Sequence, residues 1–451
     1  MEEREWIRLD NASSIFLAAR NDIDTKVFRL SAEMSEPVNH EILQAALNNT
    51  YEDYPLFHSV LRRGYFWYYL EKSDVNPRVK LETEPPVSPI YESGERNFLF
   101  RILYHEHQIH IEVFHALTDG TGALWFFEDL ISEYVRLRYF TEEGAFQTTK
   151  REKENLEDSF NRYFREREEQ QGFTRFIRPL RTFYNEQMSN GKFFPRPVEN
   201  QVDEKVYQVK GTYTTDHRPR IIHANLPLQE ILTLAKNEKV TLTIYLTALY
   251  VLAVYMTSEE KNKETTISVS VPINLRQFFP SFTVRNFFST TKVTYTFQAE
   301  EEPDLSAICQ ELSQQFSDKI EKDALESRLR KLIEFEFNPA ARVIPRPLKD
   351  LILKGINKWN NRKITVAMSN LGIVRLPEMI EDYVEHFYFS TSVVRPQFCM
   401  ISYKDHLNLS FISPFTETSI VEWFIRYLTD KGLNITIDAN KVTREELGED
   451  D

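Results

Sequence analysis

Cysteine is nearly missing: only Cys309 and Cys399 occur in 451 residues, which excludes a disulfide framework and fits a reducing compartment. Glycine is scarce too, at 12 residues, so any place where two fall close together is informative. The most apolar stretch, Leu242 to Met256, is shorter than the ~20 residues a spanning helix needs and has scattered threonines and tyrosines, so it reads as a buried helix. Met1-Glu2-Glu3-Arg4-Glu5 lacks the basic-then-apolar pattern of a signal peptide, and the expected location is the cytoplasm. Positive charge is in deficit: 55 Lys and Arg against 68 Asp and Glu leave a formal charge of −13. That argues against nucleic-acid partners, which need a basic footprint, but permits a phosphorylated small molecule held by a few local Lys and Arg. No Gly-x-Ser-x-Gly elbow, Gly-rich phosphate loop or dinucleotide fingerprint is found, which weakens hydrolase, kinase and dehydrogenase readings.

What remains is a globular balance of 41% hydrophobic and 27% charged residues, with length for two or three domains. Apolar periodicity predicts strands over Val27–Met34 and Tyr65–Glu71, a helix over Pro37–Tyr51, and a hairpin of Phe98–Tyr104 with Ile109–Phe114. A helix follows over Ala123–Tyr139. Charge-dense and proline-bearing sequence from about 141 then reads as an exposed helical excursion, and residues 186–218 as a crossover linker. The second half restarts the same grammar, with strands at Arg220–Leu226, Thr265–Pro272, Ser289–Phe297, Ile364–Met368, His386–Phe389, Phe398–Tyr403 and Leu407–Ile412. Helices are expected over Gln229–Glu238, Thr241–Met256, Thr416–Lys431 and the amphipathic stretch Leu305–Glu334. The mixture predicts an α+β protein with two layers side by side.

One segment departs from generic fold: His115-Ala116-Leu117-Thr118-Asp119-Gly120-Thr121-Gly122. A strand delivers His115 at its end, where an imidazole can project into a cleft. Gly120 and Gly122 imply a sharp strand-to-helix turn with unusual backbone angles. A histidine near its ordinary pKa of ~6.5 is a natural general base at neutral pH.

His115-x-x-x-Asp119-Gly120 resembles the His-x-x-x-Asp-Gly signature of the acyltransferase superfamily of chloramphenicol acetyltransferase, which includes alcohol acetyltransferases and peptide-synthetase condensation domains. Three further segments are similar to that superfamily in order and rough spacing: Tyr54 to Arg62, Val271 to Arg276 with Arg285-Asn286-Phe287-Phe288, and Ser369-Asn370-Leu371-Gly372 with Pro377. The bacterial alcohol-acetyltransferase-like branch is the nearest match. One departure is Phe114, where many members carry a second histidine.

The resemblance implies two chloramphenicol-acetyltransferase-like halves, residues 1–185 and 219–451, with a channel between them. It implies an acyltransferase without a bound cofactor, moving an acyl group from an acyl thioester, most simply acyl-CoA, to a hydroxyl or amine of a small molecule or lipid. His115 would be the base, Asp119 would turn away to pair with an arginine, for which Arg62 is the matching candidate, and Gly120 would leave room for backbone and ligand. Asn286 and Ser369 are candidate oxyanion donors, and Arg276 and Arg285 candidate contacts to an anionic donor. A carrier-protein-dependent condensation enzyme and a non-catalytic binding module are the alternatives. His105, His107 and His110 with Glu106 and Glu112 invite a metal reading, but His105 and His107 fall in the hairpin turn and His110 has the opposite strand parity to His107, so the set reads as solvated turn residues. The aromatic run Phe66–Tyr69 reads as core.

Overall fold

The computed structural model describes residues 6–65, 67–92, 95–140, 156–164, 205–300, 302–337 and 345–448. Most of the charge-dense excursion, residues 186–204 of the linker, and Phe66 lie outside the described residues.

Alternation builds the first sheet. In Val27–Met34, Phe28, Leu30, Ala32 and Met34 share one face, and Arg29, Ser31 and Glu33 share the other. Both faces are covered, because each polar residue finds a partner: Arg29 with Glu112, Ser31 with His110, and Glu33 with the Tyr388 hydroxyl. The five-stranded order is Val384–Thr391, Val27–Met34, Gln108–Phe114, Phe100–His105 and Val79–Leu81. Its first member comes from the second half of the chain, so the halves share a strand: Phe28 lies opposite Thr391 on one side, and Val27 opposite Phe114 on the other.

The second sheet has seven strands in the order Phe288–Phe297, Thr265–Asn274, Val366–Ile373, Gln397–Tyr403, His406–Ser413, Arg220–Pro227 and Thr436–Ala439. A three-stranded sheet joins Trp6–Arg8, Tyr68–Lys72 and Ser59–Arg63. The helix Leu242–Thr257 is apolar nearly all round and buried from Ile244 to Tyr255, with Thr241 as its N-cap. One apolar core fills the first lobe around Phe57, Phe114 and Phe126; another fills the second around Tyr250, Phe398 and Phe424. The polar faces of the two large sheets meet between the cores, where the Asn225 amide reaches His386 at 3.1 Å and the His223 ring lies 4.5 Å from Tyr388.

The architecture is the expected α+β one. The Leu305–Glu334 stretch is two helices, Leu305–Ile320 and Lys322–Phe337, broken at the extended Glu321. Two helices that the sequence reading does not contain, Asn11–Ala19 and Arg346–Asn361, pack against each other. No single described helix is long and apolar enough to cross a membrane.

Candidate active site

The strand Gln108–Phe114 ends at the residue before His115, whose N–H donates to the Lys26 carbonyl at 2.9 Å. The chain then turns, with Leu117 N–H donating to Phe114 O, and enters the helix Gly120–Tyr139 at Asp119. Asp119 is the N-cap: its Oδ1 accepts from Gly122 N–H at 2.9 Å. Its Oδ2 accepts from Arg276 Nη1 and from Phe287 N–H, both at 2.8 Å. This carboxylate therefore joins the helix start in the first lobe to the 274–288 connection in the second.

The arginine partner is Arg276, a correction to the expected Arg62. Arg62 instead binds Glu71 on the neighbouring strand of the three-stranded sheet. Arg62 lies within the strand Ser59–Arg63, whereas Arg276 lies on the connection after Thr265–Asn274 that folds back over the turn. Its guanidinium also donates to the carbonyls of Thr283 and Arg285, both at 2.8 Å from Nη2. Arg276 is buried, and its guanidinium is engaged with these acceptors at the turn. Arg285 is likewise engaged, donating to Arg8 O at 2.7 Å and lying 3.9 Å from Asp10.

Asn286 also faces inward. Its Nδ2 donates to the His115 carbonyl at 3.1 Å and to Ser13 Oγ at 3.1 Å, so it anchors the backbone that carries the imidazole and is not placed as an oxyanion donor. Ser13 in turn donates to Ala116 O at 2.8 Å, and Asp10 caps the helix Asn11–Ala19 through Ser13 N–H. Ser369 is half-buried in the strand Val366–Ile373, accepting from Gln397 Nε2 at 3.3 Å; Leu371, two residues on, reaches the helix start.

The two glycines are needed for close packing, not for special backbone angles, since neither has a left-handed φ. A Cβ on Gly122 would lie 2.2 Å from Thr118 Oγ1 and 2.3 Å from the Val284 carbonyl. One on Gly120 would meet Leu371 Cδ1 at 2.8 Å, a flexible side-chain end. The tighter of the two sites is thus the glycine outside the signature.

Around the imidazole the surroundings are aromatic. Phe16 stacks on the ring at 4.0 Å and 20°, Phe28 meets it edge-on at 5.0 Å, and Phe288 lies at 5.4 Å. Nδ1 is buried without a hydrogen-bond partner, while the residue keeps partial exposure, which leaves Nε2 as the reachable nitrogen. Burial pushes the His115 pKa down to about 4, against a smaller upward pull from Asp119. The ring is therefore neutral throughout the physiological range, not poised near 6.5.

Sequence reasoning missed Phe16, Phe288, Ser13 and Arg395. Arg395 follows the strand Val384–Thr391 at the same end of the sheet as His115. Burial lowers its pKa to about 10, and the nearby Asp24 charge opposes that shift. Asp24 itself is bound to Lys26 and to the Ser392 hydroxyl. Glu112, from the metal reading, belongs to a buried ion-pair cluster with Arg29, Glu82 and Arg101, and His110, whose pKa burial lowers, packs beside it with Nδ1 on the Ser31 hydroxyl. Among the described residues no group of His, Cys, Asp and Glu is arranged to hold a metal ion.

The family model described as alcohol acetyltransferase matches residues 105–404 of this chain. No curated protein sequence matches it significantly. Among solved structures, it is similar to the trichothecene 15-O-acetyltransferase of Fusarium sporotrichioides (12% identity, TM-score 0.59, covering 94% of this chain and 95% of that one). It is similar also to polyketide synthase associated protein 5 of Mycobacterium tuberculosis (13%, 0.57, 94% and 98%). A third is the first condensation domain of the CDA synthetase (15%, 0.56, 95% and 95%). At these identities the likeness concerns the two-lobed fold.

Proposed function

The chain belongs to the alcohol acetyltransferase family, and on that premise we propose that it transfers an acyl group from acyl-CoA to the hydroxyl or amine of a small molecule or lipid by direct attack, with His115 as the base. The observation that carries the reading is the single reachable nitrogen of a neutral imidazole fixed at a strand end, with the Asp119–Arg276 pair holding the turn beside it.

Nε2 accepts the proton of the attacking group as that atom closes on the thioester carbonyl. The new C–O or C–N bond forms, the tetrahedral centre collapses, and the C–S bond breaks. An imidazolium in so apolar a setting is a strong acid, so it returns the proton to the departing thiolate and the ring ends neutral. No acyl-enzyme is required, because one base serves both partners; proximity and proton transfer supply the acceleration. Arg395 offers a partly desolvated positive charge at the same end of the sheet for the phosphates of the donor.

The test is thiol release from a panel of acyl-CoA donors with alcohol and amine acceptors. His115→Ala is expected to lower turnover by about 10²–10⁴-fold while the protein still folds. Near-normal turnover in that variant would refute the assignment of the base.

A further inference from the structure

We propose that the helix Arg346–Asn361 docks the protein on an anionic lipid bilayer. Its apolar residues Leu348, Leu351, Ile356 and Trp359 recur at helical spacing and form one stripe. That stripe points outward: the four side chains are 50, 66, 43 and 39% exposed. Gly355 lies within it, and a Cβ there would meet nothing within 4 Å. The mixed side of the helix is the one that meets the protein, with Leu353 and Asn357 half-buried and Asp350 accepting from the Tyr68 hydroxyl at 2.9 Å. An ordinary surface helix does the reverse, turning its apolar stripe to the core.

Charge identifies what covers the stripe. Arg346, Lys349, Lys354 and Lys358, with Arg362 and Lys363 directly after, set six cations against the one acid Asp350, in a chain whose net charge is −13. A basic amphipathic helix with leucine and tryptophan on its apolar face lies in the headgroup layer, its cations against anionic lipid and its apolar face in the acyl boundary. Neighbouring elements also carry exposed apolar side chains: Ile15, on the helix packed against this one, is 47% exposed, and Trp67, beside Tyr68, is 50% exposed. The next residue after Ile15 is Phe16, which stacks on His115. Exposed Ile15 and the Phe16 ring that stacks on the imidazole are thus neighbours on one helix, which suits an acceptor or product that partitions into the bilayer.

The experiment is co-sedimentation of the full chain with vesicles of phosphatidylcholine alone and of phosphatidylcholine with phosphatidylserine. Binding is expected to the mixed vesicles and to fall with salt. Leu351→Glu with Trp359→Glu should reduce the bound fraction about tenfold, and Lys354→Glu with Lys358→Glu should remove the preference for phosphatidylserine. Both double variants should keep their melting and their thiol release with water-soluble substrates. His115→Ala should sediment like the unchanged protein, so a failure of the chemistry and a failure of docking are separately visible. Absence of binding to mixed vesicles overturns the proposal, as does binding that survives both double variants. Capture of an acidic carrier protein through this helix, with vesicles ignored, overturns it too.

Discussion

Asp119 and His115 lie four residues apart on one turn, and the fold treats them oppositely. The carboxylate accepts three hydrogen bonds, one of them from a buried guanidinium. The imidazole is surrounded by Phe16, Phe28 and Phe288 and has a buried nitrogen with no partner. A saturated group is a structural joint, since any change leaves a buried partner stranded. An unsaturated one is left with an unspent capacity for a proton, at a cost in stability that packing elsewhere offsets.

The contrast breaks most visibly at the joint. Asp119→Ala removes the helix cap and leaves Arg276 buried without its counter-charge, so stability should fall by about 3–5 kcal/mol, read by chemical denaturation. Arg276→Ala should cost a similar amount, and the double variant far less than the two together. If Asp119→Ala unfolds at the same denaturant concentration as the unchanged protein, the joint is not what holds the turn.

Acid sharpens the comparison on the histidine side. The folded His115 pKa, about 4, lies below the ~6.5 of an unfolded chain. As pH falls from 6.5 towards 4, the unfolded state takes up a proton that the folded state refuses, and stability declines across that window. His223, lowered by burial to about 3, adds a slope of the same sign. His115→Ala should flatten the stability–pH curve between 6.5 and 4. In the unchanged enzyme the acid limb of kcat/KM should lie well below 6.5; a limb at 6.5 would mean that the ring is solvated.

The smallest effect is expected at the other arginine. Arg62 is about a quarter exposed and pairs within its own small sheet, so Arg62→Ala should change stability by less than about 1 kcal/mol and leave turnover intact.

Much of this was legible from local pattern. The Val27–Met34 alternation marks a strand with those bounds, and the chain does deliver His115 at a strand end before a helix. What escaped depends on contacts between distant segments. Asp119 and Arg276 are far apart in sequence, and nothing local distinguishes Arg276 from Arg62 as the partner. The packing role of Gly122 needs the Val284 carbonyl, which another lobe supplies. The Arg346–Asn361 helix did leave a readable signal in the spacing of Leu348, Leu351, Ile356 and Trp359. The outward direction of that stripe is a tertiary fact.

The strand lent by Val384–Thr391 bears on how the protein is made. Until the ribosome has passed residue 391, Val27–Met34 has no neighbour on that side, and the nascent amino-terminal lobe must wait with a bare row of amide and carbonyl groups. Closing that gap ties residue 28 to residue 391, a contact of great sequence separation that slows maturation. Truncation before the lent strand would therefore yield an aggregation-prone fragment and not a small working domain.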